Sequence, residues 1–277
     1  MKKNKLIAPF LKWVGGKRQL MPAINELLPK KYSTYYEPFV GGGAVLFEIQ
    51  PKKAIVNDFN FELVNTYNVI KNQPEELIED LKTHVNESEY FYNIRALDRQ
   101  EGFDELSDVK KASRVIFLNK TCYNGLYRVN NSGEFNSPFG KYKNPNIVND
   151  VTIRAVSKYF NANDITIING DFENAVKNIR KGAFVYFDPP YDPVSKSSNF
   201  TGYVQGGFNM FDQVRLRDLC DKLDKQGVKF LVSNSATQLI LDLYSKYDIT
   251  FVKANRAINS DASKRGEVDE VLIRNYE

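Results

Sequence analysis

Apolar positions first fall into a helical spacing at Leu20, Ile24, Leu27 and Leu28, which predicts a helix from Lys17 closed by Pro29. Tyr35 to Val40 then predicts a short strand running into Gly41-Gly42-Gly43, after which Ala44-Val45-Leu46-Phe47-Glu48 resumes a helical pattern. Ala54-Ile55-Val56 predicts a second strand ending at Asn57-Asp58, followed by a helix from about Asn60 to Lys71. From Pro74 to about Asn149 this alternation stops. Helical stretches at 75–84 and 108–120 precede a polar, aromatic segment, 124–136, with Pro138, Gly140 and Pro145 behind it, which predicts a small hairpin inside an insertion. Alternation returns with a strand at 165–168 ending at Gly170-Asp171, a helix to about Arg180, and the run Phe184-Val185-Tyr186-Phe187. A Gly/Ser-rich loop over 192–207 precedes an amphipathic helix at 211–226, and the last strands are predicted at 228–232, 249–252 and 268–273. The expected fold is α/β, a doubly wound, mostly parallel sheet formed by 1–72 and 150–277, with an inserted, mainly helical domain at 73–149.

The run at 184–187 is the centre of this pattern. Four consecutive β-branched or aromatic residues predict a strand buried on both faces, and Pro189 and Pro190 end it because neither can donate to a ladder. Asp188 and Tyr191 are thereby placed at a strand's carboxyl end, where open α/β sheets bind ligands. An Asx-turn followed by Pro-Pro punctuation is the plain structural alternative. The glycine loop 41–43, Asp58 and Asp171 fall at other strand ends, and strand, glycine loop, helix is a nucleotide-binding layout. An acid ending the second strand suits a ribose diol, since two hydroxyls can donate to one carboxylate.

Composition narrows the chemistry. The chain has 277 residues, 42% hydrophobic and 26% charged, and no apolar run approaches the ~20 residues a membrane helix needs, so a cytoplasmic protein is expected. Cys122 and Cys220 read as free thiols, and with the single His84 they cannot make a usual zinc site; metal and histidine-base chemistry are not expected. The net charge of +4 is unevenly spread. Residues 1–36 hold eight Lys/Arg against one acid and 110–145 seven against one, while 72–108 hold eleven acids against three bases. Two basic blocks are what a polyanion-binding face requires; the acidic block reads as solvated helix faces.

The strings Phe10-Leu11-Lys12-Trp13-Val14-Gly15-Gly16-Lys17, Glu37-Pro38-Phe39-Val40-Gly41-Gly42-Gly43-Ala44, Asn57-Asp58-Phe59-Asn60, Gly170-Asp171-Phe172 and Asp188-Pro189-Pro190-Tyr191 occur in an order that resembles the Dam-type DNA adenine methyltransferases of the alpha group, especially the DpnM-like enzymes. The resemblance covers nearly the whole chain. It implies a Rossmann-like class I methyltransferase domain using S-adenosyl-L-methionine, with 73–149 as the target-recognition insertion. It places the cofactor against Trp13, Lys17, Phe39, Gly41, Gly43, Asp58, Asp171, Phe172 and Asp188. For Trp13 core packing, and for Asp171 a helix N-cap, remain open as alternatives. It also implies double-stranded DNA as substrate, the adenine of 5′-GATC-3′ as target, and possible pairing with a separate restriction endonuclease. Tyr123, Asn124, Leu126 and Arg128 match the base-reading hairpin, with Arg128 on guanine; Pro138, Lys141 and Lys143 follow as backbone contacts.

The chemistry agrees. The adenine amino group needs acceptors that hold its two protons and aim its lone pair at the methyl group, not a strong base, and Asp188 with the Pro189 carbonyl can be those acceptors. Pro190 shapes the turn and Tyr191 offers a stacking face. The target is unreachable inside a duplex, so the base must flip out, and 192–207 reads either as a loop closing over it or as a plain surface loop. The segment from Arg256 to Arg265 adds basic residues for the DNA backbone. Two rivals stay open: an amino-methyltransferase acting on cytosine, and a DNA-binding protein that kept the fold without catalysis.

Overall fold

The strand Phe184–Phe187 (β4) is buried along its whole length and divides the interior in two. Phe184 and Tyr186 point into one apolar cluster, Val185 and Phe187 into the other, as a period of two demands. In this computed structural model the described residues are 3–13, 17, 19–194, 207–255 and 267–277. The Val14-Gly15-Gly16 part of the first string, the serines and Gly202 and Gly206 of the expected closing loop, and the basic segment 256–265 lie outside them.

Around β4 the described strands are β1 (Tyr35–Glu37), β2 (Lys53–Asp58), β3 (Asp164–Asn169), β5 (Lys229–Ser235), β6 (Asp248–Asn255) and β7 (Glu267–Arg274), in the order β3-β2-β1-β4-β5-β7-β6. The pairings from β3 to β5 are parallel, and β7 alone runs antiparallel to its neighbours β5 and β6. This is the doubly wound, mostly parallel sheet expected of a class I methyltransferase. The winding reverses between β1 and β4, which opens a crevice above their carboxyl ends.

One face carries the helices α2 (Ala44–Ile49), α3 (Phe61–Asn72), α4 (Pro74–Leu81), α5 (Ser88–Ala96), α6 (Asp108–Thr121) and α7 (Asp150–Ala162). The other carries α8 (Phe172–Ala175), α9 (Met210–Lys225) and α10 (Gln238–Leu243). A helix α1 (Met21–Leu27) precedes the sheet; it starts later than the apolar spacing predicts, because Pro22 suits a first turn and not an interior. Helices α5 and α7 are additions to the predicted pattern. Helix α7 buries Ile153, Val156 and Phe160 at helical spacing, interleaved with Thr152 and Ser157, which dilute the signal. The helix expected to reach Arg180 ends at Ala175 instead, since Val176, Lys177 and Ile179 close i→i+3 turns that bury the same apolar side chains in a shorter path.

The insertion shares its core with the sheet. Phe91, Val115, Phe117 and Leu118 belong to the same cluster as Leu63, Tyr67 and Ile70 of α3. Within it Arg114, 2% exposed, pairs with Asp98 at 2.6 Å and Glu62 at 3.2 Å and donates to the carbonyls of Ile94 and Arg95. Burying a guanidinium is tolerated only when its donors are used, and here two carboxylates and two carbonyls use them. Arg114→Ala should leave Asp98 with Arg99 and Glu62 with Tyr127 as remaining partners but remove their shared buried cation, and cost at most ~3–5 kcal/mol of stability, measured by urea denaturation with the wild type in parallel; a loss below ~1 kcal/mol would mean that the pair contributes little.

Candidate active site

Asp188 stands one residue past β4, and its two carboxylate oxygens are treated differently. Lys17 Nζ lies 2.7 Å from Oδ1, and Ser233 Oγ donates to that same atom at 2.9 Å. Tyr186 Oη is 3.0 Å from Ser233 Oγ. With the serine proton committed to Asp188, the tyrosine is the donor of that pair. Among the described residues Oδ2 has no partner, and no hydrogen bond ends on the Pro189 carbonyl. Burial raises the pKa of Asp188, while the Lys17 charge and the hydrogen bonds from Lys17 and Ser233 oppose the rise.

Lys17 is itself 3% exposed, and its ammonium sits 4.7 Å above the Tyr191 ring. The cation thus touches both chemical members of the Asp188-Pro189-Pro190-Tyr191 string. Beside it Glu37, which ends β1, is buried and accepts a 2.7 Å hydrogen bond from the Tyr35 hydroxyl. Burial pushes its carboxyl well above the usual range; the Tyr35 bond opposes this and the Asp188 charge adds to it.

The glycine loop after β1 is shaped by two close approaches. Gly41 has φ of +48°, and a β-carbon there would lie 2.9 Å from the Trp13 ring; Gly43 has φ of +72°, and a β-carbon there would lie 2.6 Å from Tyr67 Oη. Only glycine satisfies both demands. The Gly41 N–H donates to Asp58 Oδ2 at 2.9 Å, the Asn60 N–H donates to Asp58 Oδ1 at 2.9 Å, and the Tyr67 hydroxyl donates to the Gly41 carbonyl at 3.0 Å. Asn57 Nδ2 donates to the carbonyls of Pro38 and Gly170, tying together the ends of β1, β2 and β3. Burial lifts Asp58 to about 6, with the three backbone N–H groups of Asn60, Gly41 and Phe59 pulling it down. Three N–H donors on a carboxylate with about four lone-pair sites leave one site for a hydroxyl donor.

Phe39 stacks on Phe172 with ring centroids 5.2 Å apart, so those two expected cofactor residues meet. Asp171 is the N-cap of α8, accepting from the Glu173 N–H at 3.0 Å, and also pairs with Arg215 at 3.0 Å. Arg215 in turn lies 4.9 Å above the Phe172 ring.

The segment after α6 folds as a small hairpin. Asn136 N donates to the Arg128 carbonyl at 2.9 Å and Asn130 N to the Glu134 carbonyl at 2.8 Å. Tyr123, Asn124, Pro138, Lys141 and Lys143 are exposed, and Leu126 and Arg128 are half-buried. Arg128 Nε donates to Asn136 Oδ1 at 2.6 Å and Nη2 to the Asn136 carbonyl at 3.3 Å, which orients the guanidinium. The Pro138 carbonyl accepts from Tyr123 N at 2.8 Å, closing the base of the hairpin. Tyr127 turns inward, donates to Glu62 Oε2 at 2.8 Å and stacks on Trp13 at 5.1 Å. Trp13 therefore touches the glycine loop and the hairpin together.

Ser233, Glu37, Tyr67 and Glu62 are site residues that the sequence reading leaves out. Ser233 had a usable signal, because Ser233-Asn234-Ser235 is a polar run ending an apolar strand, the same rule that singles out Asp188. His84 hydrogen-bonds Tyr90 and Ser113 and stacks on Phe117, and Cys122 and Cys220 are buried free thiols. No helix among the described residues is long and apolar enough to cross a membrane.

Residues 13–258 match the sequence model of the D12 class N6 adenine-specific DNA methyltransferases. The chain is 47% identical to the Type II methyltransferase M1.LlaDCHI of Lactococcus lactis subsp. cremoris, covering 100% of this chain and 98% of that one. It is 43% identical to the Type II methyltransferase M.MjaIII of Methanocaldococcus jannaschii, covering 98% and 99%. It is 36% identical to the DNA adenine methylase of Serratia marcescens, covering 98% of each. These matches set aside the cytosine and non-catalytic alternatives. The chain belongs to the D12 class of N6 adenine-specific DNA methyltransferases, and is an adenine DNA methyltransferase.

Proposed function

We propose that this enzyme transfers the methyl group of S-adenosyl-L-methionine to the N6 amino group of the adenine in duplex 5′-GATC-3′, after that base has flipped into the crevice between β1 and β4. The observation that carries the reading is the asymmetry of Asp188: Oδ1 is held by Lys17 and Ser233, while Oδ2 and the Pro189 carbonyl are left as acceptors. Two acceptors on one side of an amino group take its two protons and leave its lone pair directed away from them. S-adenosyl-L-methionine supplies an electrophilic methyl group on a sulfonium centre. In this reading Asp188 and Pro189 hold the amine, Pro190 sets the turn, and Tyr191 stacks on the flipped base while Lys17 fixes both from behind. Methylated nitrogen loses its extra proton through the same acceptors. Incubating the protein with labelled cofactor and duplexes bearing a single adenine or cytosine target tests the donor, the base and the site together.

For the cofactor, the Phe39–Gly43 loop and Trp13 form a cradle in which backbone comes close, and Asp58 faces it with one lone-pair site left for a hydroxyl donor. Asp171 and Phe172 line the far side, where Phe39 and Phe172 offer rings for a purine. The insertion 73–149 serves as target-recognition domain. Arg128 has the fork that matches the O6 and N7 acceptors of guanine. Tyr123, Asn124 and Leu126 stand on the same hairpin, with Pro138, Lys141 and Lys143 set to follow the phosphates. The Type II names of two relatives support pairing with a restriction endonuclease.

If Asp188 orients the amine, Asp188→Ala should lower the single-turnover methylation rate ~100-fold or more while DNA binding is kept; a variant with near wild-type turnover would end this assignment. The cofactor site has a pH signature. Ribose hydroxyls donate more strongly to an ionised Asp58, whose pKa without ligand is about 6, and such donation would lower it further in the complex. Affinity for S-adenosyl-L-methionine should therefore be flat above pH 7 and fall as the pH drops through 6. Calorimetry from pH 5 to 8 on wild type and Asp58→Asn checks this, the variant binding more weakly and without the inflection; a flat wild-type profile removes Asp58 from the site. For readout, Arg128→Ala should lose ~1–3 kcal/mol of discrimination at one guanine, whereas Lys141→Ala should weaken all duplexes alike and reduce the salt slope by about one. A panel of duplexes with every single substitution in the four-base site separates the two, and uniform loss for Arg128→Ala would refute base contact.

A further inference from the structure

The backbone on either side of Tyr191 is gripped by side chains that no part of the reaction described above employs. Gln213, on α9, is 1% exposed and donates from Nε2 to the Pro190 carbonyl at 3.0 Å. Its Oε1 accepts from Asn234 Nδ2 at 3.1 Å. Asn234, near the end of β5 and fully buried, accepts on Oδ1 from the Asp192 N–H at 3.0 Å and the Ser235 N–H at 2.9 Å. Ser235, also fully buried, donates its hydroxyl to the Asp192 carbonyl. Residues 190 and 192 are thus tied to two different elements, with Tyr191 between them. The ring is tethered at its other end as well, for its hydroxyl donates to Glu270 Oε2 on β7 at 3.1 Å.

This chain of amides has one direction only. The Pro190 carbonyl requires a donor and the Asp192 N–H an acceptor, so Gln213 must present its amide nitrogen to the first and Asn234 its oxygen to the second. The two amides then meet nitrogen to oxygen, and every hydrogen-bonding group faces its complement. An apolar pair of the same volume would leave the Pro190 carbonyl and the Asp192 N–H without partners, so the two amides fix the turn through direction as well as filling space.

We propose that Gln213 and Asn234 are positioning residues that preset the Pro190–Asp192 turn, and with it the plane of the Tyr191 ring, for the flipped adenine. This rests on the reading of Tyr191 as the stacking face. A misplacement of about 1 Å at a reacting group can cost on the order of 100-fold in rate. Loss of the grip should appear in kcat and not in the assembly of the complex.

Two substitutions keep the size of the clamp while breaking it. Gln213→Leu removes both of its hydrogen bonds. Asn234→Asp keeps the acceptor for Asp192 but turns the Gln213 amide toward the new carboxylate, which leaves its oxygen against the Pro190 carbonyl. Each should lower single-turnover methylation of a duplex by about 10- to 100-fold, with Kd for S-adenosyl-L-methionine and for DNA within about twofold of wild type. With 2-aminopurine at the target position, the wild-type complex should show stacking-quenched fluorescence, and both variants should be brighter. Tyr191→Ala, measured alongside, separates the two levels of the argument. If Tyr191→Ala is impaired and brighter while a folded Gln213→Leu or Asn234→Asp turns over and fluoresces as wild type, the positioning role is wrong. If Tyr191→Ala itself behaves as wild type, the stacking assignment fails, and the clamp proposal with it. Thermal melting selects the variant that is folded at the assay temperature, and either one suffices to decide.

Discussion

A carboxylate held in the interior at the end of a buried strand is the constraint around which this protein is arranged. Asp188 cannot stay charged there without compensation, because desolvation favours its neutral form. Lys17 and Ser233 supply the compensation on a single oxygen. That arrangement leaves the other oxygen as an acceptor with no partner among the described residues. Glu37 is buried beside the pair, where desolvation and the Asp188 charge both raise its pKa and the hydrogen bond from Tyr35 opposes the rise. The same lysine lies over Tyr191, so one cation orients the carboxylate and supports the ring.

A second consequence follows from where the lysine comes from. Lys17 and Trp13 lie in a segment that precedes the sheet, and that segment must be anchored if it is to place a charge with ångström precision. Asn119 of α6 does this by accepting from the Lys12 N–H at 2.8 Å and donating to the Lys12 carbonyl at 2.7 Å and the Gly125 carbonyl at 3.2 Å. Trp13 then packs on the glycine loop and on Tyr127, whose hydroxyl reaches Glu62 of α3, the partner of Arg114. The insertion is in this way cemented to the methyltransferase sheet through a shared interior. Its hairpin is positioned by residues that also shape the glycine loop.

Much of this was legible in the sequence. The buried strand 184–187, its termination by two prolines, the glycine loop and Asp58 each depend on local rules: apolar runs of strand length, the missing N–H of proline, the left-handed backbone that favours glycine. Their order along the chain carried the family resemblance. Helix α7 escaped because Thr152 and Ser157 are buried among its apolar positions, α5 because Phe91 is its one buried residue, and the early end of α8 because i→i+3 turns take over from the helix.

The sequence by itself therefore determined where the strands fall along the chain, the identity of the acidic and glycine positions, and the presence of a segment with a turn-rich hairpin between the second and third strands. It did not determine who pairs with whom. That Ser233 and Lys17 converge on the same oxygen of Asp188, that Asn119 grips Lys12 across 107 residues, and that Trp13 joins the glycine loop to the hairpin are decided by tertiary structure. The physical reason is that a hydrogen bond or ion pair depends on distances of about 3 Å and on direction, quantities that arise only when strands distant in sequence are set side by side.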